Sequence, residues 1–229
     1  MRKIKLENDA VYHVYNRGLD KTDLFRDGAD YLKFVKGIHY LNDINFKPEE
    51  IGSQERYQGL ALEKSEHREE LVDILAWCLM SNHYHLVLRQ KIEKGIAKFM
   101  QRLGTGYTMY INTKYKRSGH VFQGTFKARI IESNEYFQHV TRYLHLNPLD
   151  IYDFGWKERG VKNIEASIKF ISQYPWSSLN EYLNTNISYQ LTSPSFKELL
   201  FTDKPSEYNE FLKEWMTNGL PNNFHTFQG

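Results

Sequence analysis

The strongest constraint on this chain is a pair of apolar runs set end to end. Ile74-Leu75-Ala76-Trp77-Cys78-Leu79 reads as a buried strand. Ser81-Asn82 is a two-residue polar break of the kind that closes a hairpin. His83-Tyr84-His85-Leu86-Val87-Leu88 then brings the chain back as a second strand. Side chains two apart on a strand share a face, so His83 and His85 project together while Tyr84, Leu86 and Leu88 point the other way. Two imidazoles on one rigid face can hold a divalent metal with positions left open for substrate. Two histidines beside a turn can equally be polar rim residues.

The flanking chain supplies more strands and their helices. Residues 10–17 form a first strand ending at Gly18, with Val11, His13 and Tyr15 on one face and Tyr12, Val14 and Asn16 on the other. His13 reads as a packed or hydrogen-bonded strand histidine and stays outside the predicted site. Asp27 is an N-cap for a helix carrying Tyr31, Phe34, Val35, Ile38 and Leu41 at helical spacing. Residues 45–70 turn polar, with Pro48, Gly52 and Gly59, and read as an insertion with a short helix over Glu63–Glu70. A second long helix runs from about Ile92 to Tyr115, its apolar stripe formed by Ile96, Phe99, Met100, Leu103, Tyr107, Tyr110 and Ile111. Ser118-Gly119 ends it, and residues 120–131 read as a bent strand or ribbon. The order strand, helix, strand, strand, helix, strand is the split βαβ, or ferredoxin-like, pattern. The expected class is α+β, an antiparallel sheet with helices on one face.

A third helix starts at the N-cap Ser133 and runs to about Leu146, stopping near Asn147-Pro148. His139, Tyr143 and Asn147 lie four residues apart and share a face, with Phe137, Val140 and Leu144 on a docking side. Spacing alone does not separate Tyr143 from a half-buried core tyrosine in a chain holding 16 of them.

The formal net charge is only +2, but the charges are segregated. Between residues 89 and 130 stand Arg89, Lys91, Lys94, Lys98, Arg102, Lys114, Lys116, Arg117, Lys127 and Arg129, with Glu93 the sole acid. This is the footprint of a local polyanion-binding face. Lys94, Lys98 and Arg102 form a row at four-residue spacing suited to a phosphate backbone. Phe122 and Phe126 interleave with Lys127 and Arg129, which suits base stacking beside phosphate contacts and equally suits ordinary sheet packing. The single cysteine, Cys78, has no internal disulfide partner and suits a reducing cytosol. No secretory signal follows Met1-Arg2-Lys3-Ile4-Lys5, and no run approaches the length of a membrane span. A cytoplasmic protein without a membrane partner is expected.

Asn82-His83-Tyr84-His85-Leu86-Val87-Leu88 resembles the HUH motif, histidine–hydrophobic–histidine, of single-tyrosine transposases. Gly119-His120-Val121-Phe122-Gln123-Gly124, Tyr143-Leu144-His145-Leu146-Asn147-Pro148 and Trp176-Ser177-Ser178 resemble the REP-associated tyrosine transposases, relatives of the simplest insertion-sequence transposases. The likeness covers roughly residues 10–182 and is specific only when the motifs are taken together. It implies the ferredoxin-like fold reached above. It also implies a nucleophilic Tyr143, metal ligation of Mg²⁺ or Mn²⁺ by His83 and His85 with Asn147 as third ligand, and single-stranded or hairpin DNA as partner. The product would be a covalent 5′-phosphotyrosine with a free 3′-OH. His139, one turn before Tyr143, is a candidate base or support by spacing.

The chain divides on this reading into a catalytic domain over residues 1–150, carrying the 45–70 insertion, and a C-terminal extension over 151–229. In the extension, Trp156 and Trp176 are expected to pack the end of the third helix. Residues 194–217 suggest two short amphipathic helices docked on the core, and Pro221–Gly229 a frayed end. Related transposases include both helix-exchanging dimers and single-chain actors, so a monomer and a homodimer both remain open. Two other functions fit the same residues: a DNA-hairpin-binding protein that does not cut, and a metal-dependent phosphohydrolase without a covalent tyrosine.

Overall fold

Alternation along the central strands gives one sheet two buried faces, and each face gathers its own core. The computed structural model describes residues 5–47 and 68–221. Strands β1 (Val11–Arg17), β2 (Val72–Met80), β3 (His83–Gln90) and β4 (Lys127–Ile131) form a sheet of order β2-β3-β1-β4, every pair antiparallel. With α1 (Gly28–Tyr40) after β1 and α2 (Gly95–Lys114) after β3, the sheet order and connections are ferredoxin-like. The side chain of Asp27 caps α1 by accepting from the Asp30 amide at 3.0 Å. The helix expected from Ile92 begins at Gly95 because Lys94 sits at φ 60°, outside the right-handed helical region. The ribbon expected over 120–131 is regular only in β4; ahead of it Phe122 makes an isolated bridge to Gly18.

On one face Tyr12, Val14, Trp77, Leu79, Tyr84, Leu86 and Leu88 pack against Phe34 and Ile38 of α1 and Phe99, Leu103 and Tyr107 of α2. On the other, Cys78, Val87 and Ile131 pack against Phe137, Val140 and Leu144 of α3 (Asn134–Leu146). Ser133 caps α3 through the Tyr136 amide at 3.1 Å. The helix stops at Leu146 as the sequence suggested, but Asn147 and Pro148 do not turn the chain away. Both keep right-handed helical angles, and α4 (Leu149–Tyr152) follows at once. Proline removes one donor, yet its fixed φ suits the first turn of a helix.

The rest of the chain, α5 (Trp156–Arg159), α6 (Ile164–Gln173), α7 (Leu179–Leu183), a 3₁₀ turn (Pro194–Leu199) and α8 (Pro205–Asn218), packs around α3 and β2. Tyr208, Leu212, Trp215 and Met216 of α8 are buried. Residues 174–193 also close the outer edge of β2. Leu79 N–H donates to the Trp176 carbonyl at 2.9 Å, Ser178 N–H to Trp77 at 2.9 Å and Ser193 N–H to Ile74 at 2.7 Å. A covered edge removes a template for aggregation. Trp156 is buried in the α3 core as expected, but Trp176 is not; it stacks between Tyr31 of α1, at 4.7 Å, and Tyr189, at 5.7 Å. The edge pairing of Trp176 with β2 turns its ring toward α1. Residues 48–67 of the insertion, most of its expected short helix and residues 222–229 of the tail lie outside the described residues. The insertion's two ends meet in a bridge between Asp43 and Glu70.

Three residues expected to face DNA are structural instead. Arg102 is buried and donates to the carbonyls of Leu41 at 3.3 Å, Asp43 at 2.6 Å and Phe46 at 2.9 Å, so its charge serves the end of α1. Lys114 ties α2 to the start of α1, with Nζ 2.7 Å from Asp27 and 2.6 Å from the fully buried Asp30. Phe122 packs edge-on to Tyr84 and against Tyr107, each with ring centroids 6.1 Å apart.

Arg102→Met strands buried carbonyls and should cost about 2 kcal/mol in urea denaturation. Lys98→Met, on the exposed face of the same helix, should stay within about 0.5 kcal/mol. A neutral Arg102→Met would return that residue to the surface. A second expectation concerns His145, buried with Nδ1 2.8 Å from the Tyr208 hydroxyl and Nε2 2.9 Å from Ser178 Oγ. Burial lowers its pKa to about 3. Unfolded, the imidazole takes a proton near pH 6.5, so between these values the unfolded chain binds the extra proton. Stability is therefore complete above pH 6.5 and falls below it by up to about 1.4 kcal/mol per pH unit. His145→Gln should flatten that slope by close to one proton in urea titrations run from pH 7 to pH 4.

Candidate active site

The two histidines of β3 look out from the sheet face that α3 covers. They open into a cleft of about 750 Å³, lined also by Tyr15, Arg17, Lys21, Lys127, Tyr143, Asn147, Asp150, Phe154 and Lys157. Strand parity places His83 and His85 side by side, ring centroids 5.0 Å apart and planes at 85°. Nδ1 of His83 lies 2.7 Å from Asn82 Oδ1. A carbonyl oxygen only accepts, so Nδ1 carries the proton and Nε2 is left with its lone pair. His85 Nδ1 lies 2.9 Å from Nε2 of His13, while its own Nε2 is buried with no hydrogen-bond partner.

His13 is the residue that sequence reasoning left out. Its neighbour Tyr15 pairs directly with His85 and His13 with Val87, so the register sets His13 diagonally beside His85 on the same face. The strand pattern placed His13 on a face but carried no information on register. Burial holds all three imidazoles neutral: His13 is lowered to about 3, His83 to about 4 with help from the charges of Lys157 and Arg17, and His85 well below its ordinary value.

Tyr143 enters from α3, its ring edge-on to His85 at 5.7 Å. The phenol's pKa is raised, first by burial and then by the carboxylate of Asp150 and by Cys78, while the Asn147 amide works in the opposite direction. Asn147 follows one turn later, fully buried, close to the phenol, its amide making no hydrogen bond of ordinary geometry. Because the backbone stays helical through Pro148, Asp150 arrives on the same stripe. Asp150 accepts from Trp156 Nε1 at 2.8 Å and from Lys157 Nζ at 2.5 Å.

These donors fit a divalent cation. A bare Nε2 on His83, an orphaned Nε2 on His85 and an amide with an unsatisfied oxygen share one cleft, an N/N/O set with room for further ligands. Among the described residues, no group of three or more His, Cys, Asp and Glu side chains forms a metal cluster.

His139 is not in this cleft. Its ring stacks on Trp215 at 5.6 Å and 3°, and it lies 4.0 Å from Glu135, so it belongs to the α3–α8 contact. Four-residue spacing drifts around a helix, and two turns suffice to separate His139 from Asn147 when α8 fills the side between. The basic residues divide likewise. Lys127 lines the cleft. Lys94 and Lys98 are exposed on α2, across the sheet from it, and Lys94 lies 3.6 Å from Glu93. Lys116 is exposed, Arg117 donates to the His120 carbonyl at 2.8 Å, and Arg129 sits on β4 opposite His13. Arg17 and Lys21, outside the segregated basic segment, line the cleft in their place.

Residues 53–147 match the family described as IS200-like transposases. No curated protein matches the sequence. Among solved structures, the chain is similar to a REP-associated tyrosine transposase bound to a REP hairpin, at 13% identity and a TM-score of 0.51, over 84% of this chain and 90% of that one. Among the described residues, no helix is long and apolar enough to cross a membrane. The matched stretch runs from the central hairpin of the sheet to the helix of Tyr143, and over it the chain is similar to IS200-like transposases.

Proposed function

We propose that the cleft cuts and rejoins single-stranded DNA through Tyr143, with hairpin DNA as the substrate. The observation that carries this reading is the meeting of Tyr143, His83, His85 and Asn147 in one cleft, Tyr143 5.7 Å from His85, within one chain. The match of residues 53–147 to IS200-like transposases supports DNA processing, and the REP hairpin held by the similar structure supports the hairpin form of the substrate. Arg17, Lys21, Lys127 and Lys157 outnumber the two acids of the cleft wall, Asp150 and Glu158, which suits a phosphodiester backbone.

In the reaction, Tyr143 Oη bonds to phosphorus and the P–O3′ bond breaks. The phenol gives up its proton and O3′ takes one, leaving a 5′-phosphotyrosine and a free 3′-OH. The bond energy is conserved in the adduct, so a 3′-OH can reverse the step. Burial keeps the Tyr143 phenol protonated at rest, which protects the nucleophile until positive charge and substrate enter. His83, His85 and Asn147 would hold Mg²⁺ or Mn²⁺, which supplies that charge and polarises the phosphorus. Asn82 fixes the His83 ring, and His13 fixes that of His85. With Nε2 of His85 as ligand, Nδ1 carries the proton and donates to His13.

The test uses purified protein, Mn²⁺ and labelled single-stranded hairpins from the flanks of its own gene, read on a denaturing protein gel. Label should move onto the wild-type protein, and be absent with EDTA and in Tyr143→Phe, which should still bind DNA. Tight binding with no adduct would favour a non-cutting hairpin binder, and free ends without adduct a phosphohydrolase. His13→Ala should weaken Mn²⁺ binding about 10–100-fold in calorimetric titration; unchanged affinity would remove His13 from the site. Replacing both Lys21 and Lys127 by Gln should reduce the slope of log K against log salt by about 1.4 for single strands. The pair Lys94→Gln and Lys98→Gln should change it less, and the reverse ranking would move the DNA to the α2 side.

A further inference from the structure

The C-terminal extension lends two charged residues to the cleft lining, the exposed Glu158 and the buried Lys157, and the reaction above gives Lys157 no step. Lys157, on α5, is buried, and its Nζ lies 5.3 Å from the centre of the Tyr143 ring. Its charge reaches both histidines, contributing to the lowered pKa of each. The side chain is aimed by Asp150, whose Oδ2 accepts from Nζ at 2.5 Å while Oδ1 accepts from Trp156 at 2.8 Å.

The backbone beneath it is equally fixed. The Lys157 carbonyl accepts from Leu220 N–H at 2.7 Å. Gly219, at φ 77°, lies against the same carbonyl so closely that a Cβ there would stand 2.6 Å from it. Val161 N–H donates to Met216 O at 2.6 Å, clamping the far side of α5 to the end of α8. A long side chain that only needed an ion pair would not require this support. Lysine carries three N–H donors, and Asp150 takes one of them in the described structure. The others remain for a ligand in the cleft.

We propose that Lys157 is a catalytic residue whose ammonium contacts a non-bridging oxygen of the scissile phosphate while Tyr143 attacks. This rests on the reading of the cleft as a tyrosine strand-transfer site. As the Oη–P bond forms and the P–O3′ bond lengthens, negative charge spreads over the non-bridging oxygens. A preorganised, buried cation stabilises that charge more than it stabilises bound substrate. Lys157 exchanges no proton in the step. Asp150 acts as a positioning residue, holding the ammonium beside the Tyr143 ring.

The experiment measures adduct formation at saturating hairpin DNA with Mn²⁺, and hairpin affinity separately, for wild type, Lys157→Met, Lys157→Ala and Lys157→Arg. Lys157→Met should lose about 100-fold or more in adduct rate, with affinity changed by far less. Ethylammonium should restore part of the rate to Lys157→Ala, a rescue that a purely structural lysine would not give. If Lys157→Met and Lys157→Ala do not fold, Lys157→Arg decides. It keeps the charge and the pair with Asp150 but moves the donor, so the rate should fall about 10-fold or more at unchanged melting temperature and affinity. A wild-type adduct formed equally fast by a folded Lys157 variant overturns the role of Lys157 and leaves the function standing. Absence of any adduct in wild type overturns both.

Discussion

The register of β1 against β3 is the constraint on which the cleft depends. Pairing Tyr15 with His85 and His13 with Val87 brings three imidazoles onto one face in a single layer. A slip of one residue would turn His13 and Tyr15 into the opposite core, where Tyr12 and Val14 now sit. The apolar alternation of both strands opposes such a slip, because it would bury histidine among Phe34, Leu86 and Tyr107 on the far side. The packing that stabilises the sheet therefore also sets the His13–His85 contact at 2.9 Å. Site geometry and core formation are one problem here.

The extension is the second half of that arrangement. An isolated four-stranded sheet would leave β2 with a bare edge and the α3 face half covered. Residues 174–193 occupy the edge, and Glu181 locks them there. Its buried carboxylate accepts from Trp77 Nε1 at 2.9 Å, Thr192 N–H at 2.8 Å and Leu191 N–H at 3.0 Å. A buried carboxylate is tolerable when several donors meet it. From this anchor the chain reaches α8, and α8 clamps α5 in place beside Tyr143. One wall of the cleft, carrying Phe154 and Lys157, thus comes from the chain beyond α3 and the last strand.

Much of the fold was legible because it rests on short-range pattern. The hairpin at Ser81-Asn82, the caps at Asp27 and Ser133, and the strand and helix order are all carried by residues within a few positions of one another. The shared cleft of His83, His85, Tyr143 and Asn147 came from motif resemblance, and for Tyr143 spacing alone gave no choice among the tyrosines. What the sequence misjudged is long-range. Arg102 sits in a convincing basic row, yet the carbonyls that claim it belong to residues about 60 positions away. Lys114 is claimed by Asp27 and Asp30 across the α1–α2 contact. His139 and Tyr143 share a helix face in projection until Trp215 takes one of them. Charge clustered in sequence is a weak guide to a charged surface when partners arrive from other elements.

The same long-range packing explains how a cleft holding so many polar groups can be stable without substrate. Burial makes the neutral imidazole and the protonated phenol the favoured forms, so the histidines and Tyr143 carry no net charge at rest. The Lys157 ammonium is balanced by Asp150 at 2.5 Å. Cations with fewer internal ties, Lys21 and Lys127, stay at the exposed rim where water solvates them. A phosphodiester entering such a cleft meets neutral imidazoles, a paired cation with spare donors, and rim charges that cost little to desolvate. Each feature lowers the penalty for holding polar groups in the apo protein, and each leaves capacity that an anion can use. That is the physical reason for favouring a polyanionic substrate over a neutral one in this cleft.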